Sequence, residues 1–178
     1  GTVGILAGGN GTVVPRAQAG VVVFDAGFVL GDGVWEGLRV ADGHPAFLEQ
    51  HLDRLWEGAT AIALDIGLTR EELITQLYRT LAANGMTGDG VHIRLMVTRG
   101  PKSTPYKDPR MSAGPATNVM IGEYKDPLPA TVETGLALFT AHVRRASPEP
   151  LYTRLTAHTT INKTHPCNAP TTASHDTR

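Results

Sequence analysis

The residues of this chain that could do chemistry fall into four short stretches. "GDGVWEGLRV" (31–40) offers Trp35, Glu36 and Arg39, and "HLDRL" (51–55) offers Arg54. "IRLMVTRG" (93–100) offers Arg94 and Arg99, and "AHTTINKTHPC" (157–167) offers Lys163 and the lone Cys167. A planar guanidinium can meet two oxygens of one anion at once, which a lysine ammonium cannot reproduce. Each stretch also has a plainer reading. Arg54 is equally at home on the polar face of an amphipathic helix, and Arg94 and Arg99 fit charges at a strand edge facing water. Trp35, Glu36 and Arg39 fit an ordinary hairpin with one buried aromatic, and strand alternation sends Glu36 to the face opposite Trp35 and Arg39. His44, His51 and His92 show no metal-ligand spacing, so no metal site is read. The "GGNG" near the start lacks the strand-to-helix context of a phosphate cradle and reads as a mobile loop.

These residues need elements to position them. "AGVVVFDAGFVLGDG" (19–33) is a β-branched run followed by a glycine-rich turn, where Gly31 and Gly33 report backbone that a Cβ would hinder. "VWEGLRVADGHPAFL" reads as a hairpin turning at Asp42-Gly43. From Phe47 the pattern is helical, with Phe47, Leu48, His51, Leu52, Leu55, Trp56, Ala59 and Ile62 at three- and four-residue steps. A second helix is predicted from Thr69, with Glu72 completing a capping box, through Leu73, Leu77 and Leu81 to Asn84-Gly85. "GVHIRLMVTRG" alternates as a strand, with Ile93, Leu95 and Val97 on one face and His92, Arg94, Met96 and Thr98 on the other. "TNVMIGEY" (117–124) is a further strand after a loop rich in Pro, Lys and Ser. "EYKDPLPATVE" then approaches a last strand over 134–148. Two consecutive helices flanked by hairpin strands give an α+β fold class.

The bulk numbers narrow the partners. With 178 residues, 41% hydrophobic and 19% charged, the chain has the composition of a globular protein. A formal net charge of −1 without a run of Lys or Arg argues against nucleic acid or an anionic membrane. No stretch approaches the roughly 20 apolar residues that span a bilayer. One cysteine excludes an internal disulfide and suits a reducing compartment. The expectation is a soluble, cytoplasmic protein. Its start reads as a loose or clipped N-terminus rather than a signal peptide.

Three pieces, "DAGFVLGDGVWEGLRV" (25–40), "FLEQHLDRL" (47–55) and "IRLMVTRG" (93–100), together resemble the N-terminal signature of the class IV aminotransferases. These are the fold-type-IV pyridoxal-phosphate enzymes, among them branched-chain and D-amino acid aminotransferases and aminodeoxychorismate lyase. The resemblance implies the N-terminal α/β-sandwich domain of those enzymes plus the beginning of a second domain. It implies pyridoxal 5'-phosphate as cofactor, an amino acid and a 2-oxo acid as substrates, and a homodimer. It assigns the cofactor phosphate to Arg54 and the substrate pocket to Trp35, Glu36, Arg39 and Arg94, with one of Arg94 and Arg99 placed to meet a substrate carboxylate.

The same family needs a lysine to hold the cofactor and shuttle the proton. In one branch it lies in a segment resembling H-[ST]-K-[LIT]-N, followed by a small residue and Cys. Aligned on His158, Thr159, Ile161, Asn162 and Cys167, this chain places Thr160 where that lysine belongs. A register using Lys163-Thr164 meets Pro166 where Asn is expected, and three helical residues swing a side chain by about 300° and advance it about 4.5 Å. Lys163 is therefore a fallback nucleophile or a surface lysine. "NAPTTASHDTR" (168–178) reads as a tail without apolar periodicity, as a truncated or frame-shifted reading frame would leave. The expected organisation is a loose N-terminus (1–18), an N-terminal α+β domain (19–126), a linker with a partial cofactor domain (127–167) and an unstructured tail (168–178). The alternatives are a catalytically inactive remnant, a class IV lyase, or an unrelated small binding module with accidental motif matches.

Overall fold

The computed structural model describes residues 5–7, 12–125, 129–135, 137 and 140. At its centre are the alternating strands. β1 (Ile5–Ala7) and β2 (Thr12–Val14) come first, then the short helix α1 (Ala26–Leu30). The hairpin strands β3 (Gly33–Ala41) and β4 (His44–Pro45) lead into helices α2 (Leu48–Ala61) and α3 (Arg70–Ala83). β5 (Val91–Thr98), β6 (Thr117–Tyr124) and α4 (Pro129–Thr134) follow. The six strands form one antiparallel sheet in the order β2-β1-β6-β5-β3-β4.

Alternation decides which face is buried. Val34, Leu38 and Val40 of β3 join Val91, Ile93, Leu95 and Val97 of β5 and Met120 of β6 on one face. α2 and α3 cover that face with Leu52, Leu55, Leu73, Leu77 and Leu81, all almost fully buried. Truncating such a leucine to alanine costs about 2–5 kcal/mol, so this layer supplies most of the domain's cohesion. Among the described residues no helix is long and apolar enough to cross a membrane.

Local signals end the elements where the sequence predicts. Thr69 Oγ1 accepts from the Glu72 amide at 3.2 Å while Glu72 Oε2 accepts from the Thr69 amide at 2.8 Å, which satisfies two orphan donors of α3. Asp42 and Gly43 take φ of 50° and 76°, the left-handed pair that a two-residue hairpin turn requires. Gly100 has φ 83°, and a Cβ there would lie 1.9 Å from the Pro115 carbonyl oxygen.

Three expectations differ from the structure. Residues 5–7 and 12–14, read as part of a loose N-terminus, are strands: Ile5 to Ala7 pairs with Ile121 to Val119 of β6, a non-local pairing that three-residue patterns cannot announce. The β-branched run Val21–Val23 pairs with nothing in the sheet and stands exposed. The chain turns instead into α1, capped by Asp25, whose Oδ1 accepts from the Gly27 amide at 2.8 Å. Residues 129–134, read as the approach to a strand, are helical, because Pro129 suits a first helical position and donates no backbone hydrogen. The rest of the strand expected over 134–148 lies almost wholly outside the described residues, as do Thr160, Lys163 and Cys167.

Candidate functional site

β3 carries functional side chains to both faces of the sheet. Its even positions point toward the helices, so Glu36 lies fully buried between Val34 and Leu38. An isolated carboxylate in that layer would be costly, and it is met by α2. Arg54 Nε donates to Glu36 Oε1 at 2.7 Å, and Arg54 Nη2 donates to Oε2. His51, one helical turn earlier on the same face, places Nδ1 2.7 Å from Oε2. Glu36 can only accept here, so Nδ1 carries the hydrogen and donates it. Hydrogen bonding to Glu36 holds the Arg54 guanidinium above its already high range, against the opposing effect of burial, and the Glu36 charge acts in the same sense. The Arg54 side chain is still 46% exposed, and among the described residues its Nη1 has no partner.

The odd positions of β3 face the other way. Trp35, Gly37 and Arg39 stand opposite Met96, Arg94 and His92 of β5, which align in turn with Val119, Ile121 and Glu123 of β6. The Arg94 guanidinium lies 4.1 Å from the Trp35 ring centroid, a cation–π contact that fixes both side chains. Gly37 makes room for the neighbouring imidazole: a Cβ there would sit 3.1 Å from His92 Nε2. Arg39 is exposed and its Nη1 reaches the Lys125 carbonyl at 3.4 Å. Burial lowers the His92 pKa, Lys125, Arg94 and Arg39 lower it further, and Glu123 opposes them. The cationic end of this open face passes into an apolar cleft of about 310 Å³ lined by Val21, Phe28, Met96, Val119 and Ile121.

The structure thus brings the predicted residues together as two sets. Trp35, Arg39 and Arg94 share the open face. Glu36 does not belong with them: expected in the substrate pocket, it is instead the buried holder of Arg54, because the period of two in a strand leaves it no access to that face. Arg99 is also committed elsewhere. It donates to Asp32 Oδ2 at 2.7 Å and Oδ1 at 3.1 Å, and to the Ile62 and Ala63 carbonyls at 2.7 Å each. That arginine ties the Gly31–Gly33 turn to the end of α2 and is neither a substrate contact nor a charge facing water. His51 and Asp25 were absent from the predicted set. The spacing of His51, three residues before Arg54 on one helix face, is the signal that could have found the first.

Sheet and helices share the fold of the N-terminal part of the fold-type-IV enzymes. The chain belongs to the class IV aminotransferase family, whose model it matches over residues 33–170. It is 41% identical over 150 residues to branched-chain-amino-acid aminotransferase-like protein 1 of Arabidopsis thaliana, a match covering 84% of this chain and 27% of that protein. The structure of 4-amino-4-deoxychorismate lyase from Pseudomonas aeruginosa shares the fold at a TM-score of 0.69 and 28% identity, over 97% of this chain and 58% of that one. A hypothetical aminotransferase from Mycobacterium tuberculosis, solved in a PLP-bound form, matches at a TM-score of 0.54 and 26% identity over 75% of this chain and 42% of that one. The chain spans less than two thirds of each of these proteins. Family membership removes the reading of the motifs as accidental.

Proposed function

We propose that this chain carries the cofactor-phosphate arginine and the substrate-facing sheet of a pyridoxal-phosphate aminotransferase acting on an amino acid and a 2-oxo acid. One observation carries this reading: an arginine clamped by a buried carboxylate has a half-exposed side chain whose Nη1 is without a partner among the described residues. That is what a site fitted to a phosphate monoester requires. When bound, the cofactor supplies the electron sink for cleaving a bond at the amino acid's Cα.

The chain's own residues bind and orient. Arg54 holds the phosphate. Arg94, set by Trp35, meets the carboxylate of the amino acid or 2-oxo acid, with Arg39 at the rim. The apolar cleft accepts a branched or otherwise apolar side chain and keeps water from it. Thr160 cannot form the covalent link to the cofactor, so Lys163, the nearest lysine in the sequence, is the candidate for it. The exposed apolar stretch Val21–Phe24, with Phe28, supports self-association as a homodimer, and the single cysteine supports a cytoplasmic setting. The organisation in this reading is an N-terminal domain to about residue 126, followed by part of the cofactor domain. A class IV lyase is the second reading, favoured by the coverage of the lyase match.

The test is a titration of the protein with pyridoxal phosphate, read by quenching of tryptophan fluorescence. Saturable binding is expected, weakened about tenfold to a hundredfold by Arg54→Ala, the loss of about 1.5–3 kcal/mol of charge-assisted hydrogen bonding. Borohydride reduction followed by peptide mapping then decides whether Lys163 is modified. Absence of saturable binding overturns the reading. Product analysis with an amino acid and a 2-oxo acid, set against cleavage of an aminodeoxychorismate-type substrate, separates transferase from lyase.

A further inference from the structure

The buried carboxylate and the histidine beside Arg54 have no part in the chemistry above, yet both are tightly engaged. Glu36 is inaccessible to any ligand from the solvent. Its two oxygens receive three donors: Arg54 Nε, Arg54 Nη2 and His51 Nδ1. A two-point grip on the Nε and Nη2 edge fixes the plane of the guanidinium as well as its position. The side chain is about half exposed, and its Nη1, without a partner among the described residues, is left pointing in one direction. An arginine on an open helix turn would otherwise sample many rotamers and lose that freedom on binding an anion.

We propose that Glu36 and His51 are positioning residues that preorganise Arg54 for a phosphate monoester dianion, with His51 holding the Glu36 carboxylate in the orientation that grips the guanidinium. The inference rests on the reading that Arg54 receives the phosphate. By charge alone, Glu36 works against an anion at Arg54, and neutralising it should tighten binding. By positioning, the same change should loosen binding, because glutamine keeps only one acceptor oxygen and turns an NH2 toward the arginine. His51 gives a second handle: the Nδ2 of an asparagine occupies nearly the place of the imidazole Nδ1 and can donate in its stead.

The experiment measures dissociation constants for inorganic phosphate and for pyridoxal phosphate with the wild-type chain, Arg54→Ala, Glu36→Gln, His51→Ala and His51→Asn. Folding of each is checked by circular dichroism, and the Arg54 Nε–H signal is followed by NMR. Expected are loss of binding in Arg54→Ala and weakening of about five- to tenfold in Glu36→Gln despite the lost negative charge. His51→Ala should weaken binding about threefold and His51→Asn should recover it to within about twofold, with the Nε–H signal broadened in Glu36→Gln. A folded Glu36→Gln that binds phosphate as well as or better than wild type overturns the proposal, as does a His51→Asn no better than His51→Ala. The histidine pair decides the question if Glu36→Gln does not fold. If Arg54→Ala binds like wild type, the phosphate reading itself fails. If Arg54→Ala loses binding and the other variants do not, that reading stands and the positioning role falls.

Discussion

Replacing Arg99 by methionine is the sharpest test of how this domain is held together. Methionine keeps most of the aliphatic length and removes every donor. Four hydrogen bonds go with them, two to the Asp32 carboxylate and one each to the Ile62 and Ala63 carbonyls. The two side chains are only 19% and 25% exposed, so the pair is closer to a buried one than to a surface one. Breaking a buried pair by removing one partner costs about 3–5 kcal/mol. Discounted for partial exposure, the expected loss is about 2–4 kcal/mol. For a chain of this size that lowers Tm by about 6–12 °C. The assay is urea unfolding followed by far-UV circular dichroism, with a lower midpoint and an unchanged m-value. Arg99→Lys should recover less than half of the loss, because one ammonium cannot reach a carboxylate and two carbonyls together. If Arg99→Met unfolds within about 0.5 kcal/mol of wild type, the clamp is not structural and Arg99 is the solvent-facing charge of the plainer reading.

Gly100→Ala should prevent folding or leave an insoluble product, since its Cβ would meet the Pro115 carbonyl at 1.9 Å and φ is 83°. Gly85→Ala has open space around a φ of 63° and should cost only about 1 kcal/mol in the same urea assay. Thr69→Ala removes the cap of α3 and should cost about 1 kcal/mol, recovered by Thr69→Ser or Thr69→Asp. His92 carries a pH signature. Burial, with Lys125, Arg94 and Arg39, lowers its pKa below the ordinary value of about 6.5, Glu123 notwithstanding, so the folded chain takes the proton less readily than the unfolded one. Its contribution to stability is present above about pH 6.5 and is lost as pH falls below that value, and His92→Gln should flatten that part of the profile in thermal melts from pH 4.5 to 8.

Elements whose signals are local were legible from the order of residues alone. The capping box sets the start of α3 three residues before Glu72, and left-handed backbone at Asp42-Gly43 turns the hairpin. The alternation of β5 assigns Ile93, Leu95 and Val97 to the core without reference to any partner. The residue order also determined that Glu36 faces away from Trp35 and Arg39, since a strand repeats every two residues. Family membership was legible for the same reason: the matching residues lie in continuous runs. Other features depend on chain segments that meet only in the folded molecule. Glu36 and Arg54 are 18 residues apart and touch because α2 lies across β3. Arg99 and Asp32 are 67 apart, and their union turned a candidate substrate contact into a structural clamp. β1 reaches the sheet through β6, more than a hundred residues away, where three-residue strands offer no pattern to read. Arg54 could be read from its motif as the candidate phosphate arginine. The buried carboxylate behind it, which aims it, is a property of the fold alone.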